Sequence, residues 1–500
     1  MNLRLVYILS TIALSCHTGY ASAAAMTDRD IDAGLQRIEH IVVIYAENRS
    51  FDNLYGLFPG ANGISRAKPA EYTQTDLDGR PLPGLPKVWN DKAGLLKGEL
   101  PNRPFRLDEP PFNLGLEAKT PDLTHRYYQN IEQINGGRLD RYAAMSDAGG
   151  LTMGYYDGAK MPMWKYAREY VLADNFFMAA FGGSFLNHFW LICACTPHFP
   201  DAPDKLKAQL DQDGKLKRRP DSPASALEGP PKTYDNELTP DGYAVNTMQP
   251  SYQPSRVPPA PGGDPRYADG HGHPLPPQTF TTIGDRLSAK GISWAWYAGA
   301  WQAGLADGMQ PSDARRKVIY SRKMPSLETH HQPFNYFTRF APGTPDRERH
   351  LKDGSEFLKA IESGRLPQVS FYKPESSLNE HPGYADVLSG EAHIAQLVAK
   401  LQASPAWART AIIVTYDENG GLWDHVPPPK GEGWSDRWGP GTRIPAIIIS
   451  PFAKRGHIDS TPYDTTSILK FITRRFALEP LPGVRKNAGD LINAFDFAGH

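Results

Sequence analysis

IEHIVVIYAENRSFDNLYG, residues 38–56, is the stretch that decides how this chain folds. Its apolar run at residues 40–46 is rich in Val and Ile, is too short for a typical helix and predicts a buried strand. Glu47 and Asn48 follow at the carboxyl end of that strand, the edge where open α/β sheets bind their ligands. Asn48 or Ser50 would cap a helix that begins next. Taken alone, a capped turn with a solvated Glu47 is the simpler interpretation, so evidence for a site has to come from the rest of the chain.

The composition is that of an ordinary folded protein with long loops. Of the 500 residues, 40% are hydrophobic and 22% are charged, and the 46 Pro and 45 Gly residues predict extended loop regions. The 54 basic and 55 acidic residues give a net charge of −1, so we expect no general attraction to nucleic acid or to acidic membranes. An anionic substrate would have to be held by local contacts. The sequence indicates no oligomeric state.

The first 25 residues have the layout of a secretory signal peptide. Arg4 precedes an apolar segment at residues 5–14, and small residues close the segment before position 26. Attachment of a lipid at Cys16 is a weaker alternative, because the residues before it only loosely match a lipoprotein cleavage box. We therefore expect a periplasmic or secreted mature chain, residues 26–500, that folds as one domain. No later apolar run is long enough to span a membrane, so we expect no stable membrane insertion.

Several residues with reactive or metal-binding side chains are weak signals by themselves. Cys193 and Cys195 are either disulfide-bonded or two buried thiols, and two cysteines cannot supply a full structural zinc site. His271 and His273 have the spacing of a metal pair, but their Gly/Pro-rich surroundings favour an ordinary loop. The segment PDLTHRYYQNIEQI predicts a helix with His125 in its first turns, where a single His is usually a surface or packed residue.

Helical and strand patterns alternate along the second half of the chain. The predicted strands are ISWAWY, PQVSFYKPE, TAIIVTY and RIPAIIISPF. Helical patterns separate the first three, and TTSILKFITRRFAL predicts a terminal helix. This alternation predicts an α/β fold, a three-layer sandwich with a mostly parallel central sheet. Two long Pro/Gly-rich insertions, residues 65–120 and 201–277, are predicted to be loop-rich excursions that wall the mouth of a site.

A Gly-Gly-Ser sequence at residues 182–184 begins an apolar helical pattern. Such a start exposes the Ser184 hydroxyl and brings backbone N–H groups close to any bound oxyanion. A serine cap after a glycine turn is the simpler alternative, and the nucleophile elbow of α/β-hydrolases is excluded because no Gly follows Ser184 by two positions. Asn187 and His188 would lie near Ser184 on the helix surface.

Two predicted strands end in the same way, HIVVIYAEN and AIIVTYDEN. In the second, Asp417, Glu418 and Asn419 are hard oxygen donors, and Gly420-Gly421 allows a sharp turn after them. Four or five oxygen ligands from the two strand ends could hold a divalent cation. Unpaired buried anions would repel each other strongly. One divalent metal ion of unknown identity is therefore the simplest way to balance the negative charge at the two strand ends.

Six motifs occur in order over nearly the whole mature chain. They are ENRSFDNLYG at 47–56, GGSFLNH at 182–188, HHQPF at 330–334, NEHPGYA at 379–385, YDENGGLWDHVPPP at 416–429 and RIPAIIISPFAKRG at 443–456. Together they resemble a bacterial phosphoesterase family that contains periplasmic acid phosphatases and phosphatidylcholine-type phospholipases C. The resemblance implies an alkaline-phosphatase-like fold.

Carried over position by position, the resemblance implies a site with metal-binding and phosphate-contacting groups. The implied metal ligands are Glu47, Asn48, Ser184, Asp417 and Glu418, and Ser184 is also the implied nucleophile. The residues implied to contact the transferring phosphoryl group are His125, His330, His331 and His381. The resemblance assigns no role to Asn187, His188 or His425.

The predicted function is a secreted, metal-dependent acid phosphatase that hydrolyses small phosphate monoesters through a phosphoserine intermediate. A phospholipase C that cleaves phosphodiester lipids is the alternative within the same resemblance. Within the family that this chain resembles, the phospholipases commonly carry a twin-arginine signal, extra carboxyl-terminal domains and a threonine nucleophile. This sequence instead has a single Arg4 in the leader, a short tail after Ala477 and a serine at position 184, and these differences favour the phosphatase. A non-catalytic periplasmic protein that binds phosphate compounds is a distant alternative, which the retained Ser184 disfavours.

Overall fold

The computed structural model describes residues 27–498. The predicted signal peptide and Cys16 lie outside the described residues. The described helices are α1 Asp28–Gln36, α2 Phe51–Tyr55, α3 Pro69–Tyr72, α4 Tyr127–Ile134, α5 Pro162–Glu169, α6 Ser184–Cys193, α7 Ile283–Ala289, α8 Trp301–Gly308, α9 Pro345–His350, α10 Gly354–Glu362, α11 Val387–Ala403 and α12 Thr465–Phe476. The described strands are β1 His40–Ala46, β2 Phe105–Arg106, β3 Gly154–Tyr155, β4 Val171–Ala173, β5 Phe176–Phe177, β6 Trp294–Ala298, β7 Leu351–Asp353, β8 Val369–Lys373, β9 Thr410–Tyr416, β10 Ala446–Ile449, β11 His457–Asp459 and β12 Tyr463–Asp464.

An eight-stranded sheet forms the centre of the protein, in the order β11-β4-β10-β9-β1-β8-β6-β7. All neighbouring strands pair in parallel except β10, which is antiparallel to both β4 and β9. The strand β9 is buried along its whole length and β1 along all but its first residue, which explains why both read as continuous apolar runs rather than alternating ones. The mostly parallel sheet confirms the predicted fold class.

Helices cover both faces of this sheet. On one side α11 packs against α5 and α10, and on the other α6 packs against α12 and α7. The start of α11 is fixed by the Asp386 side chain, which accepts a hydrogen bond from the Ser389 N–H, and α12 begins with a capping box formed by Asp464 and Ser467. The three-layer arrangement is the predicted one.

The helix predicted around residue 121 begins later than expected. Residues 121–126 have no helical structure, and α4 starts at Tyr127. Side chains in this segment bond elsewhere: the Thr124 hydroxyl donates to Asp147, and His125 Nδ1 lies 2.5 Å from the Leu123 carbonyl oxygen. His125 therefore precedes the helix instead of lying in its first turns, and the extended segment carries it across the carboxyl edge of the sheet.

The remaining predictions about loops and cysteines have mixed outcomes. Residues 201–277 contain none of the α-helices and strands given above, and residues 65–120 contain only α3 and β2, as expected for loop-rich excursions. Of the two alternatives for Cys193 and Cys195, the structure has the disulfide. His271 lies in a short 3-10 turn that ends at His273, on an exposed loop. Among the described helices, none combines the length and apolarity needed to cross a membrane.

Candidate active site

The carboxyl ends of β1 and β9 lie side by side at one edge of the sheet. The two strands are in register up to Ala46 and Tyr416, so the residues that follow each of them leave the sheet together. The Asn48 N–H donates to Asp417 Oδ1 over 3.1 Å, and the Arg49 N–H donates to the Glu418 carbonyl over 3.0 Å. The geometry therefore brings the two oxygen-rich strand ends into direct contact in a buried position.

The turn after β1 depends on an unusual backbone conformation at Asn48. Its φ of 65° lies in the left-handed region, which asparagine tolerates better than most residues. Of the two predicted caps of α2, Ser50 is the one used, since its hydroxyl accepts a hydrogen bond from the Asn53 N–H. Asn48 is thereby free to direct its side-chain oxygen toward α6.

Ser184 is the first residue of α6, and its hydroxyl faces the two strand ends. Its Oγ donates to Asn48 Oδ1 over 3.1 Å and lies 3.4 Å from Glu418 Oε1. A Cβ at Gly182 would lie 2.6 Å from the Tyr127 nitrogen, and one at Gly183 would lie 2.8 Å from the His125 carbonyl oxygen. The two glycines are therefore what lets the start of α6 approach the segment that carries His125.

Glu47 is held by several hydrogen-bonding partners. His331 Nε2 lies 2.5 Å from Glu47 Oε1, whereas Asn379 Nδ2 and the Tyr384 hydroxyl, the latter at 2.9 Å, donate to Oε2. Burial opposes the charge of Glu47, but His331 and Lys373 outweigh this effect and hold the pKa of Glu47 well below its ordinary value. Glu47 is thus an ionised, rigidly oriented carboxylate.

Lys373, the last residue of β8, was not among the residues predicted from the sequence. Its ammonium is fully buried and lies 3.2 Å from Glu47 Oε1 and 3.4 Å from Asp417 Oδ2. A signal was present in the segment PQVSFYKPE, because a charged residue in a strand that is otherwise apolar and aromatic requires a partner. Asn379 was quoted in a motif but given no role.

His125 and His381 flank the opening of the site, and their ring centroids are 5.4 Å apart. Each Nδ1 lies 2.5 Å from a backbone carbonyl oxygen, of Leu123 and Pro382 respectively, so both rings carry a proton on Nδ1 and present Nε2 elsewhere. Burial disfavours the charge on both rings. At His125 the carboxylates of Glu418 and Asp122 outweigh it and raise the pKa to about 9, while burial lowers the pKa of His381. One ring is therefore a cationic donor and the other a neutral imidazole.

A cavity of about 240 Å³ lies above Ser184. Ser184 and His330 line it together with His125 and His381. The other lining residues are Asp122, Arg126, Gly183, Phe185, Val245, Asn246, Thr247, Tyr320, Arg322, Glu328 and Tyr384. The excursion at residues 201–277 thus contributes to the wall, whereas residues 65–120 contribute none of the lining residues.

Two buried groups that line this cavity have pKa values far from their ordinary ones. His330 Nδ1 has no hydrogen-bond partner among the described residues, and burial, followed by the charge of His331, lowers the pKa of His330 well below its ordinary value. Burial, and then the charge of Glu47, raises the pKa of Glu328 to about 8. Both groups are neutral near pH 7, so they can exchange hydrogen bonds with a polar ligand.

The three residues without an assigned role lie in different places. Asn187 exchanges side-chain hydrogen bonds with the backbone of Ala180, which shapes the loop before Ser184. His188 Nδ1 donates to the Ser184 carbonyl over 2.7 Å and is fully buried beneath the site. His425 belongs to a separate buried cluster, in which its Nδ1 lies 2.6 Å from Asp52 Oδ2.

The oxygen groups around Ser184 suit a hard divalent cation. Burial raises the pKa of Asp417 to about 6 and that of Glu418 well above its ordinary value, which means that their surroundings do not fully offset their negative charge. Carboxylate, amide and hydroxyl oxygens are donors that Mg²⁺, Ca²⁺ and Mn²⁺ accept. A cation among them would remove the electrostatic cost, so the donor chemistry fits the predicted metal ion.

Spacing alone would also allow a metal ion in three His/carboxylate groups of the described chain. These groups are Glu47 with His330 and His331, Asp122 with His125 and His381, and Asp52 with Asp424 and His425. Existing bonds compete at the second and third groups, because the Nδ1 atoms of the second point to carbonyl oxygens and Arg443 pairs with both carboxylates of the third. The first group shares Glu47 with the predicted metal site beside Ser184, so it is an adjoining part of that site and not a separate one.

Comparison with known proteins gives a consistent family match. The Phosphoesterase family model matches residues 38–479. The chain is 27% identical to "Phospholipase C A" of Mycobacterium tuberculosis, over 95% of this chain and 81% of that protein. It is 25% identical to "Non-hemolytic phospholipase C" of Pseudomonas aeruginosa, over 93% of this chain but only 58% of that protein.

Solved structures give a weaker match. One is a protein of the alkaline phosphatase superfamily from Vibrio parahaemolyticus, with a TM-score of 0.33 and 10% identity, covering 77% of this chain and 75% of that one. A sulfatase from Pseudoalteromonas sp. has a TM-score of 0.36 and 11% identity, covering 94% of this chain and 75% of the other. These scores are too low to carry an argument about the site.

Proposed function

Because this chain belongs to the Phosphoesterase family, we propose that it is a metal-dependent phosphoric ester hydrolase of the phospholipase C type, with Ser184 as its nucleophile. The family membership bears out the predicted class of phosphoric ester hydrolase. The finer prediction, an acid phosphatase, receives no support from the relatives, since the two quoted above both carry the name phospholipase C. We therefore place phosphodiester cleavage first and monoester hydrolysis second.

The observation that carries the proposal is the position of the Ser184 hydroxyl. It lies at the N-terminus of α6, between the oxygen-rich strand ends and the cavity, and Ser184 is only 5% exposed. A phosphoester in this cavity would meet the hydroxyl on one side and imidazole groups on the other. Backbone N–H groups at the helix start favour the negative charge of the phosphoryl oxygens.

The residues would divide the work of hydrolysis as follows. A divalent ion bound by Glu47, Asn48, Ser184, Asp417 and Glu418 would polarise a phosphoryl oxygen and lower the pKa of the Ser184 hydroxyl. The Ser184 hydroxyl donates to Asn48 Oδ1, and the Glu418 carboxylate, whose Oε1 lies 3.4 Å from Oγ, would take up its proton as Oγ bonds to phosphorus. The protonated His125 would donate a hydrogen bond to a phosphoryl oxygen and give its proton to the alcohol oxygen as the bond from that oxygen to phosphorus breaks. Water would then attack phosphorus from the vacated side and return a proton to His125, while the Ser184 oxygen leaves phosphorus and recovers its proton from Glu418.

The choice between diester and monoester depends on the outer cavity. The cavity is also lined by Val245, Tyr320, Arg322 and Glu328, which would give room for a second substituent on the phosphoryl group. One feature favours the monoester: the proposed nucleophile at position 184 is a serine, whereas the phospholipases of the family that this chain resembles commonly have a threonine there. Export through residues 1–25 stays a prediction, because that segment lies outside the described residues.

The proposal is tested by hydrolysis of three p-nitrophenyl substrates by the purified protein after removal and controlled return of Mg²⁺, Ca²⁺ or Mn²⁺. These are the phosphate monoester, the bis-p-nitrophenyl diester and p-nitrophenylphosphorylcholine. We expect the diesters to be cleaved with the higher kcat/KM. A higher kcat/KM for the monoester would favour the acid phosphatase, and no release from any substrate with any metal would contradict the proposal.

Two variants separate chemistry from folding. Ser184→Ala removes the nucleophile, and we expect kcat to fall by at least about 10³-fold while the unfolding midpoint changes little. Ser435→Ala, on an exposed loop, is a matched control that should keep full activity. Full activity of Ser184→Ala would show that another group attacks phosphorus.

A further inference from the structure

We propose that Lys373 is a built-in cation that sets the charge of the metal site, so that the site takes one divalent ion and disfavours a trivalent one. The inference rests on the metal site of the proposed function and adds to it the residue that determines which ionic charge the site accepts. Lys373 is a positioning residue, because it contacts the ligands rather than the substrate.

The position of Lys373 follows from the order of the strands. β8 pairs in parallel with β1 on the side opposite β9, so the ends of β9, β1 and β8 are consecutive along one edge of the sheet. From the end of β8 the ammonium reaches across β1: Nζ lies 3.2 Å from Glu47 Oε1, 3.4 Å from Asp417 Oδ2 and 3.4 Å from the Ala46 carbonyl oxygen. One ammonium thus joins a ligand from each of the two strand ends.

The only carboxylates that pair with Lys373 among the described residues are those of Glu47 and Asp417. The residue is fully buried, and its ammonium also lies near the Ala46 carbonyl oxygen and the ring of Tyr45, whose centroid is 5.3 Å away. A buried ammonium is very costly unless it is paired, and here both of its anionic partners are implied metal ligands. Lys373 is therefore part of the charge balance of the metal site itself.

The charges add up to a simple expectation. Glu47, Asp417 and Glu418 contribute three negative charges when all are ionised, and Lys373 returns one, which leaves a net charge of −2 for the metal to offset. A divalent ion restores neutrality, whereas a trivalent ion leaves an excess positive charge in a buried place. His125 can also be cationic, and its Nε2 lies 3.9 Å from Glu418 Oε1 and 3.4 Å from Asn48 Nδ2. Its side chain is 20% exposed at the rim, so solvent screens its charge more than that of the fully buried Lys373, and the sum leaves it out.

An ordinary buried ion pair would predict something different. If Lys373 only held the strand ends together, replacing it with an apolar residue of similar length would change stability without changing which ions bind. If Lys373 sets the charge of the metal site, replacing it with an apolar residue leaves the three negative charges of the ligands without a compensating cation. Affinity should then rise for all cations, and more for trivalent than for divalent ones, because the electrostatic energy scales with ionic charge.

The experiment measures ion binding rather than catalysis. Metal-free wild-type protein, Lys373→Met and Lys373→Arg are titrated with Mn²⁺ and with Tb³⁺ by calorimetry, and metal content per chain is measured after dialysis. Lys352→Met, which removes a partly exposed lysine of β7 paired with Glu356, is the matched control. We expect one Mn²⁺ per wild-type chain, and a shift of the Mn²⁺/Tb³⁺ Kd ratio toward Tb³⁺ of at least about tenfold in Lys373→Met only.

The outcomes separate the two proposals. Equal Kd ratios in Lys373→Met and wild type, with one Mn²⁺ in each, would overturn the role of Lys373 and leave the metal site intact. No Mn²⁺ binding to the wild type would overturn the metal site and this inference together. Lys373→Arg keeps the positive charge and should bind ions like the wild type, so that a shifted ratio in Lys373→Arg would also contradict the inference, even if Lys373→Met did not fold.

Discussion

Asn48 and Gly420 lie against each other across the two strand ends, so closely that a Cβ at position 420 would be 2.4 Å from the Asn48 carbonyl oxygen. Gly420 also has a φ of 62°, in the region that favours glycine. Gly420→Ala should therefore displace Asn48 and lower the free energy of unfolding by at least about 2 kcal/mol, combining backbone strain with a clash. Urea unfolding measures this change.

Gly431→Ala is the matched control for that substitution. Its φ is 95°, but a Cβ there would meet nothing within 4 Å, so only the conformational cost of about 1 kcal/mol applies. Equal losses in the two variants would contradict the close contact between Gly420 and Asn48.

Glu47→Gln tests whether the first strand end binds the metal directly. The amide keeps the shape of the side chain but removes the charge that His331 and Lys373 stabilise. We expect weaker metal retention during dialysis, by at least about tenfold in Kd, together with lower turnover. Glu39→Gln, on an exposed residue before β1, should retain metal like the wild type. Loss of turnover with unchanged metal content would assign Glu47 to another role.

In the metal-free protein, the stability contributed by Asp417 and Glu418 should decrease as the pH rises. The pKa of Asp417 is raised to about 6 by burial, above the value of about 3.9 expected in the unfolded chain, and that of Glu418 is raised as well. Groups with a raised folded-state pKa contribute stability below the unfolded pKa and lose it as the pH rises through the folded one. Thermal unfolding with chelator between pH 4 and pH 7 measures this loss.

Two comparisons control the pH experiment. Asp417→Asn cannot ionise, so its chelated form should lose less stability over the same range. Added Mn²⁺ should restore more stability at pH 7 than at pH 4, because the metal replaces protons on the carboxylates. Other titrating groups are common to both proteins, so the test is the difference between them: a chelated wild type that loses no stability relative to Asp417→Asn from pH 4 to pH 7 would refute the expected sign.

Glu328→Gln probes recognition of the alcohol part of the substrate. Its carboxyl lines the cavity, and burial raises its pKa to about 8, so near pH 7 it is neutral and can donate a hydrogen bond to the substrate. We expect KM for the diesters to change at least about fivefold, with kcat for the monoester within about twofold. Glu375→Gln, whose carboxylate accepts the Ser326 N–H outside the cavity, should change neither. Equal effects on monoester and diester would argue against this role.

The sequence was sufficient for the sheet and for the two oxygen-rich strand ends, because both are local patterns. An apolar run followed by EN or DEN is visible without any knowledge of neighbours, and parallel strands bring such ends to one edge. The start of α4 was wrong because side-chain bonds of Thr124 and His125 compete with helix formation, and these partners are not visible in a local pattern.

Lys373 could not be placed from the sequence for a related reason. The contacts of Lys373 depend on β8 lying next to β1, and the strand order β9-β1-β8 is a property of the assembled sheet. A single Lys at the end of an aromatic strand is locally an ordinary strand terminus. Only the adjacency of three strand ends turns it into a partner of both Glu47 and Asp417.

The hydrogen bond between Asn48 and Asp417 joins residues 369 positions apart. During synthesis, Asn48 is made long before Asp417, so the two residues cannot contact each other until most of the chain has been made. Contacts between residues so far apart in sequence form slowly, because closing the long loop between them costs conformational entropy before the contact can stabilise it. Metal uptake at this site should then accompany the last stage of folding, because its two halves lie apart until the ends of β1 and β9 meet.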